Sequence, residues 1–187
     1  MIRVVIQVIS FLGFLGFVAL ASLVAFYVGD KLFKTRMLVA VIKRVRPHAY
    51  VAAFALAFIA TLASLFLSEV AHFQPCILCW YQRIAMYPQV PLLYLAVVRR
   101  EQVLKPYLLT LNILGAIIAL YHYSLHVLPK TTTILLPCAR EYGGAPCDKG
   151  YAFYFGFMTF PLMAFVVFAL IIALLLMSER SHSRPQK

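Results

Sequence analysis

Four cysteines are the residues of this chain with the most distinctive chemistry, and their spacing divides them into two pairs. Cys76 and Cys79 form a Cys-x-x-Cys motif, whereas eight residues separate Cys138 from Cys147. A Cys-x-x-Cys pair closes a short, readily exchanged disulfide, which is typical of thiol oxidoreductases. The alternatives are half of a zinc site and an inert structural disulfide. Because the sequence has no second Cys-x-x-Cys motif, zinc is the minority interpretation, and we expect no bound metal.

The first pair is predicted to open a helix. Pro75 suits the start of a helix, where its missing N–H is not needed, so both cysteines are expected in the first turn. There the exposed N–H groups and the helix dipole favour a thiolate. If the helix continues, Arg83 lies one turn below Cys79 on the same face. We expect Arg83 to stabilise a thiolate and the charge on an electron acceptor; the alternative is an arginine that extends into the headgroup layer.

The second pair lies in the segment 128–150, which is rich in proline and glycine. This composition predicts an irregular loop that presents its disulfide to a partner. Exchange needs such an approach, because a thiolate attacks a disulfide through a mixed-disulfide intermediate. Taken alone, Cys138 and Cys147 are better explained as a staple of the loop. Together with the first pair, they predict a relay that carries electrons from outside the membrane into it.

Two histidines, His122 and His126, are one helical turn apart near the end of an apolar run. They are candidates to line a site for a quinone head group, and capping of the helix end explains them equally well. Their spacing also suits a metal-ligand pair, but no carboxylate is placed to complete such a site. The tyrosines and the tryptophan near them fit an aromatic belt at the membrane interface.

The composition identifies a membrane protein, since 64% of the 187 residues are hydrophobic and only 12% are charged. Five apolar runs stand out: Val4–Gly29, Ala49–Ser68, Ile84–Val98, Pro106–His126 and Tyr151–Met177. About 20 helical residues cross the hydrocarbon layer, so the third run reaches spanning length only if Cys79–Arg83 are also helical.

The formal net charge of +11 indicates topology rather than nucleic-acid binding, because the basic residues lie between and after the apolar runs. We expect the basic segments to be cytoplasmic and both cysteine pairs to be extracytoplasmic, where disulfides persist. Five spans then place the amino terminus outside. An export signal is the alternative for the first run, but it would send the basic segment Lys31–Arg46 outward.

The residues around the first pair resemble the DsbB/BdbC family of disulfide-forming membrane proteins. The resemblance rests on PCILCWYQR at residues 75–83, on Met86-Tyr87-Pro88, on Tyr121-His122-Tyr123, on the second cysteine pair and on FGFMTFPLMA at residues 155–164. It covers the chain from about His48 to Met177. The first apolar run has no counterpart in that family's four-span core.

The resemblance implies a membrane enzyme that reoxidises an extracytoplasmic thioredoxin-fold dithiol oxidase of the DsbA/BdbD type and reduces ubiquinone or menaquinone. Carried over by position, Cys79 would contact the quinone and Cys76 would exchange with the loop pair. The partner would attack Cys138, and Cys147 would join the internal exchange. Arg83 would face the quinone, and His122 would lie near it. The short second loop is closer to the Gram-positive type, which favours menaquinone.

We therefore expect an all-α integral membrane protein of the inner membrane: a four-helix transmembrane bundle with an additional N-terminal transmembrane helix. The expected parts are the extra helix (1–30), a basic cytoplasmic linker with the pattern of an amphipathic helix (31–47), the core (48–177) and a cytoplasmic tail (178–187). The competing interpretations are an enzyme like vitamin K epoxide reductase, a metal-binding or channel subunit, and a structural subunit whose disulfides staple its loops.

Overall fold

The computed structural model describes residues 2–33, 36–99, 103–127 and 157–178, and its regular elements are helices. They are α1 (Ile2–Phe33), α2 (Met37–Val45), α3 (Ala49–Leu65), α4 (Ile77–Met86), α5 (Gln89–Arg99), α6 (Lys105–Val127) and α7 (Phe160–Met177). A 3₁₀ turn (Arg46–His48) precedes α3, and a π-helical turn (Phe66–Val70) follows it. Within these ranges, four helical stretches are long and apolar enough to cross a membrane: Ile2–Phe33, Met37–Val70, Lys105–Val127 and Phe160–Met177. The predicted all-α membrane fold is confirmed.

The third apolar run differs from the prediction, because it forms two short helices rather than one. Cys79–Arg83 are helical as required, but α4 ends at Met86 and α5 begins at Gln89. Pro88 lies between them; it donates no N–H, and its ring clashes with the carbonyl group four residues earlier. Pro91 is then the third residue of α5, where an N–H needs no partner within the helix. The two prolines thus explain the interruption.

Helix α7 is the central element of the bundle and packs against α1, α3 and α6. Thr159 caps its start by accepting a hydrogen bond from the Leu162 N–H at 3.4 Å. Gly115 on α6 admits the ring of Phe168, which would collide with a methyl group at that position. Small residues on α3 allow similar close approach. The main core consists of Ala53, Ala57, Ala85, Met86, Leu93, Leu108, Ala116, Ala119, Phe168, Ile171 and Leu175.

A buried pair of amides joins α5 to α6. Asn112 donates to Gln89 Oε1 at 2.7 Å and also to the Leu108 carbonyl at 2.7 Å. Gln89 in turn donates to the Ala85 carbonyl at 2.8 Å. Both amide side chains are fully buried. Interhelical hydrogen bonds of this kind hold membrane helices together without a hydrophobic driving force between them.

Candidate functional site

The first cysteine pair lies at the start of α4, although one position differs from the prediction. Cys76 is the N-cap residue, with extended backbone (φ −74°, ψ 170°), and Pro75 precedes it instead of occupying the first helical turn. The Cys76 sulfur accepts a hydrogen bond from the Cys79 N–H at 3.4 Å. Both thiols are free, and their sulfur atoms are 3.0 Å apart. Cys76 therefore takes the capping role that serine or aspartate often has.

His122 on α6 faces this pair from the side. Its Nε2 lies 3.6 Å from the Cys76 sulfur, and its Nδ1 lies 3.0 Å from the Gln82 side-chain nitrogen. An amide nitrogen can only donate, so Nδ1 accepts, and in the neutral ring the proton lies on Nε2, pointing at sulfur. The Gln82 amide thus sets the tautomer of His122. His122 is 3% exposed, so bulk water has little access to either nitrogen.

These contacts favour ionisation of Cys76. The hydrogen bond from the Cys79 thiol lowers the pKa of the Cys76 thiol to about 4, and His122 acts in the same direction, while burial opposes both. A lowered pKa gives a thiolate at neutral pH, and the thiolate is the reactive form in disulfide exchange.

Arg83 is held by the end of α3. Its Nε donates to the Ser64 hydroxyl at 3.0 Å, and its Nη2 donates to the Ser64 carbonyl at 3.1 Å. Tyr87 also donates to the Ser64 hydroxyl, at 3.3 Å. The guanidinium lies 5.2 Å from the centre of the Trp80 ring. Arg83 is therefore fixed within the protein, which differs from a side chain that extends freely into the headgroups.

A cavity of about 280 Å³ joins these groups. Its polar end contains Cys76, Cys79, Arg83 and His122, and its apolar walls come from α1, α3 and α7. His126 also lines it, with its ring centre 5.0 Å from that of His122. Such a cavity suits an amphiphilic ligand with a polar head and an apolar tail.

Four of the six predicted site residues therefore meet at one cavity, namely Cys76, Cys79, Arg83 and His122. Cys138 and Cys147 lie outside the described residues. Two further residues of the site, Gln82 and Ser64, were not predicted from the sequence. A signal for both existed, because each is a polar residue within or beside an apolar segment, where an uncompensated polar group is costly. Their partners, however, are set by packing between helices distant in sequence.

Comparison with known proteins identifies the family of this chain. A family model described as "Disulfide bond formation protein DsbB" matches residues 46–178. Disulfide bond formation protein C of Bacillus subtilis (strain 168) is 42% identical over 133 residues, which are 70% of this chain and 94% of the relative. Probable disulfide formation protein C 1 of Bacillus cereus is 41% identical over 121 residues, which are 65% of this chain and 84% of the relative. No solved structure gives a significant match.

The family match covers well over half of the chain and includes both cysteine pairs, Arg83 and His122. The four long apolar helices further indicate that the protein passes through the membrane several times. The chain belongs to the DsbB family of disulfide bond formation proteins, and it is a multi-pass membrane oxidoreductase that acts in disulfide bond formation.

Proposed function

We propose that this protein reoxidises an extracytoplasmic thioredoxin-fold dithiol oxidase of the DsbA/BdbD type and passes the electrons to a membrane quinone. The observation that carries the proposal is the cavity, in which a reactive cysteine pair and a fixed cation share one apolar pocket. In this proposal the site faces the extracytoplasmic side of the inner membrane, and the basic segments between the spans remain cytoplasmic. Residues 48–177 act as the catalytic core.

The residues at the polar end fit a quinone head group. Arg83 donates hydrogen bonds to Ser64 through Nε and Nη2, and its Nη1 makes no hydrogen bond to the described residues. Nη1 can therefore donate to a carbonyl oxygen in the cavity. Cys79, Arg83 and His122 would hold the head group, and the apolar walls would hold the tail. When bound, a quinone supplies an acceptor for the two electrons and two protons that Cys76 and Cys79 lose on forming a disulfide.

The four cysteines of the chain carry out the remaining steps, which are thiol–disulfide exchanges. The partner's thiolate attacks Cys138 of a Cys138–Cys147 disulfide, which releases Cys147 as a thiolate. Cys147 then attacks Cys76 of the Cys76–Cys79 disulfide, and Cys79 leaves as a thiolate beside Arg83. The partner's second cysteine resolves its mixed disulfide with Cys138 and leaves oxidised. Cys138 then attacks Cys147 of the Cys76–Cys147 disulfide, which restores the loop disulfide and leaves Cys76 and Cys79 reduced. One disulfide has then moved from the membrane pair to the partner.

The energetics support a quinone as the final acceptor. Dithiol oxidases of this type reach reduction potentials of about −120 mV, so their reoxidation needs an oxidant stronger than a glutathione buffer. A difference of about 30 mV is worth about 1.4 kcal/mol for two electrons. The short second loop resembles the Gram-positive type of the family, and on that resemblance we favour menaquinone over ubiquinone.

The test is quinone reduction by the purified protein in detergent, with a reduced thioredoxin-fold oxidase as electron donor and either menaquinone or ubiquinone as acceptor. We expect turnover to vanish in Cys79→Ser and to weaken in Arg83→Ala. Arg99→Ala is the matched control, because Arg99 is exposed at the far end of α5 and does not line the cavity. Folded protein that reduces neither quinone with its cognate partner would overturn the proposal.

A second function, metal binding, is favoured by one observation. The ligand atoms of Cys76, Cys79 and His122 all lie within 4.8 Å of one another, which is close enough to hold one ion. Two thiolates and an imidazole are ligands that zinc prefers. This alternative predicts stoichiometric zinc in the purified, reduced protein and no quinone reduction, so the same preparation separates the two functions.

A further inference from the structure

Helix α1 lies outside the family match, which begins at residue 46, yet it packs closely on the core. Two glycines make this contact with α7. A Cβ on Gly13 would lie 2.8 Å from Met163 Cγ, and a Cβ on Gly16 would lie 3.2 Å from Val166 Cγ1. Ser10, one turn earlier, is 1% exposed and donates to the Ile6 carbonyl at 2.8 Å. This face of α1 is therefore fitted against the bundle.

The same face borders the cavity that contains the cysteines. Ile9, Leu12, Gly13 and Gly16 line one wall, and α3 residues from Leu56 to Ser64 contribute to another. The cavity thus lies between α1 and α3 as well as beside α7. Without α1, the apolar part of the cavity would open to lipid along its length, while the cysteines, Arg83 and His122 would keep their own contacts.

Resting on the proposed function, we infer that α1 forms a wall of the quinone site and contacts the bound quinone. The volume of about 280 Å³ is slightly below that of most ligand pockets, roughly 300–1000 Å³, so it suits a head group that touches the surrounding walls. The relative from Bacillus subtilis is matched over 94% of its length but covers 70% of this chain, so α1 is an addition to the matched core.

Two leucines on α1 provide a matched test. Leu12 lines the cavity and is 49% exposed; Leu15 does not line it and is 47% exposed. Quinone affinity is measured by photolabelling of the purified protein with an azidoquinone, with unlabelled menaquinone or ubiquinone as competitor. We expect label on α1 near Leu12. Leu12→Trp should weaken the affinity about tenfold, and Leu15→Trp should leave it within about twofold.

A second pair changes another residue of the α1 wall, and the unfolding of every variant in sodium dodecyl sulfate checks that the compared proteins are folded. Gly16 lines the cavity, whereas a Cβ on Gly29 would meet nothing within 4 Å. Gly16→Leu should therefore weaken quinone binding, and Gly29→Leu should not. If wild-type protein binds quinone but α1 carries no label and both pairs behave alike, the inference falls and the proposed function stands. If wild-type protein binds no quinone, both fall.

Discussion

Helices α4 and α5 are the two halves of one interrupted apolar segment. Each contains one buried glutamine, and the two glutamines form hydrogen bonds with different kinds of side chain. Gln82 on α4 contacts His122, whose other nitrogen lies 3.6 Å from the Cys76 sulfur. Gln89 on α5 accepts from Asn112, and the two amide nitrogens also donate to the Ala85 and Leu108 carbonyls, while the Asn112 side-chain oxygen has no hydrogen-bond partner within the described residues. The first contact ends at a titratable, redox-active group, whereas the second involves no titratable group.

A buried amide is therefore not by itself evidence of a functional site. Both glutamines satisfy the requirement that a polar group in an apolar interior must be hydrogen-bonded. Only Gln82 adjusts the chemistry of another group, because it selects which nitrogen of His122 carries the proton. We expect changes on α4 to alter reactivity and changes on α5 to alter stability.

The largest expected effect concerns the ionisation of Cys76, at the α4 end. Because the pKa of Cys76 is lowered to about 4, its thiolate should persist as the pH falls from 8 to about 5. An ordinary thiol, with a pKa of about 8.5, would already be mostly protonated at pH 7. Thiolate absorbance at 240 nm in the reduced Cys138→Ser/Cys147→Ser variant measures this. Loss of that absorbance near pH 8 would contradict the assigned contacts.

Removal of the imidazole should have the next largest effect. His122→Phe removes the group facing the Cys76 sulfur, so the pKa of Cys76 should rise and turnover should fall about 100-fold, as for loss of a hydrogen bond to a charged group. Turnover with the reduced oxidase and quinone measures this. The control is His48→Phe, since His48 is exposed and precedes α3. Equal turnover in the two variants would remove His122 from the site.

The membrane fold could be predicted from sequence because it depends on properties that add along the chain. The lengths of the apolar runs located the spanning stretches. The best agreement is for the helix Lys105–Val127, which was predicted as Pro106–His126. The interruption at Pro88 was readable from the proline but was not predicted. The N-cap role of Cys76 was also missed, since a proline can precede a cap as readily as it can begin a helix.

The candidate site could be predicted only where its members share one helix. Cys79 and Arg83 were placed on one face by their spacing, and both do line the cavity. Ser64, which holds Arg83, is 19 residues away, and no periodicity relates the two. The same limit applies to α1, whose part in the cavity depends on how it packs against α7. The roles of Cys138 and Cys147 stay predictions.

A matched pair of substitutions tests the two glutamines directly. Gln82→Met and Gln89→Met each remove an amide from a buried side chain while keeping similar volume. Loss of the bond to His122 should cost about 1.4 kcal/mol in the transition state, so Gln82→Met should slow turnover about tenfold. Gln89→Met should turn over at the wild-type rate. The comparison fails if the two variants slow turnover equally.

The smallest expected effect belongs to the amide pair itself and is measured as stability. Asn112→Ala removes the donor to Gln89 and should lower the free energy of unfolding by about 1 kcal/mol, with turnover unchanged, because interhelical bonds in membranes are modest. Unfolding in detergent by added sodium dodecyl sulfate measures it. Each single change leaves the other amide buried without its partner, whereas the double variant Gln89→Met/Asn112→Ala removes both amides. The loss of unfolding free energy in the double variant should therefore be smaller than the sum of the two single losses. Strict additivity would mean that the two amides do not stabilise α5 against α6 as a pair.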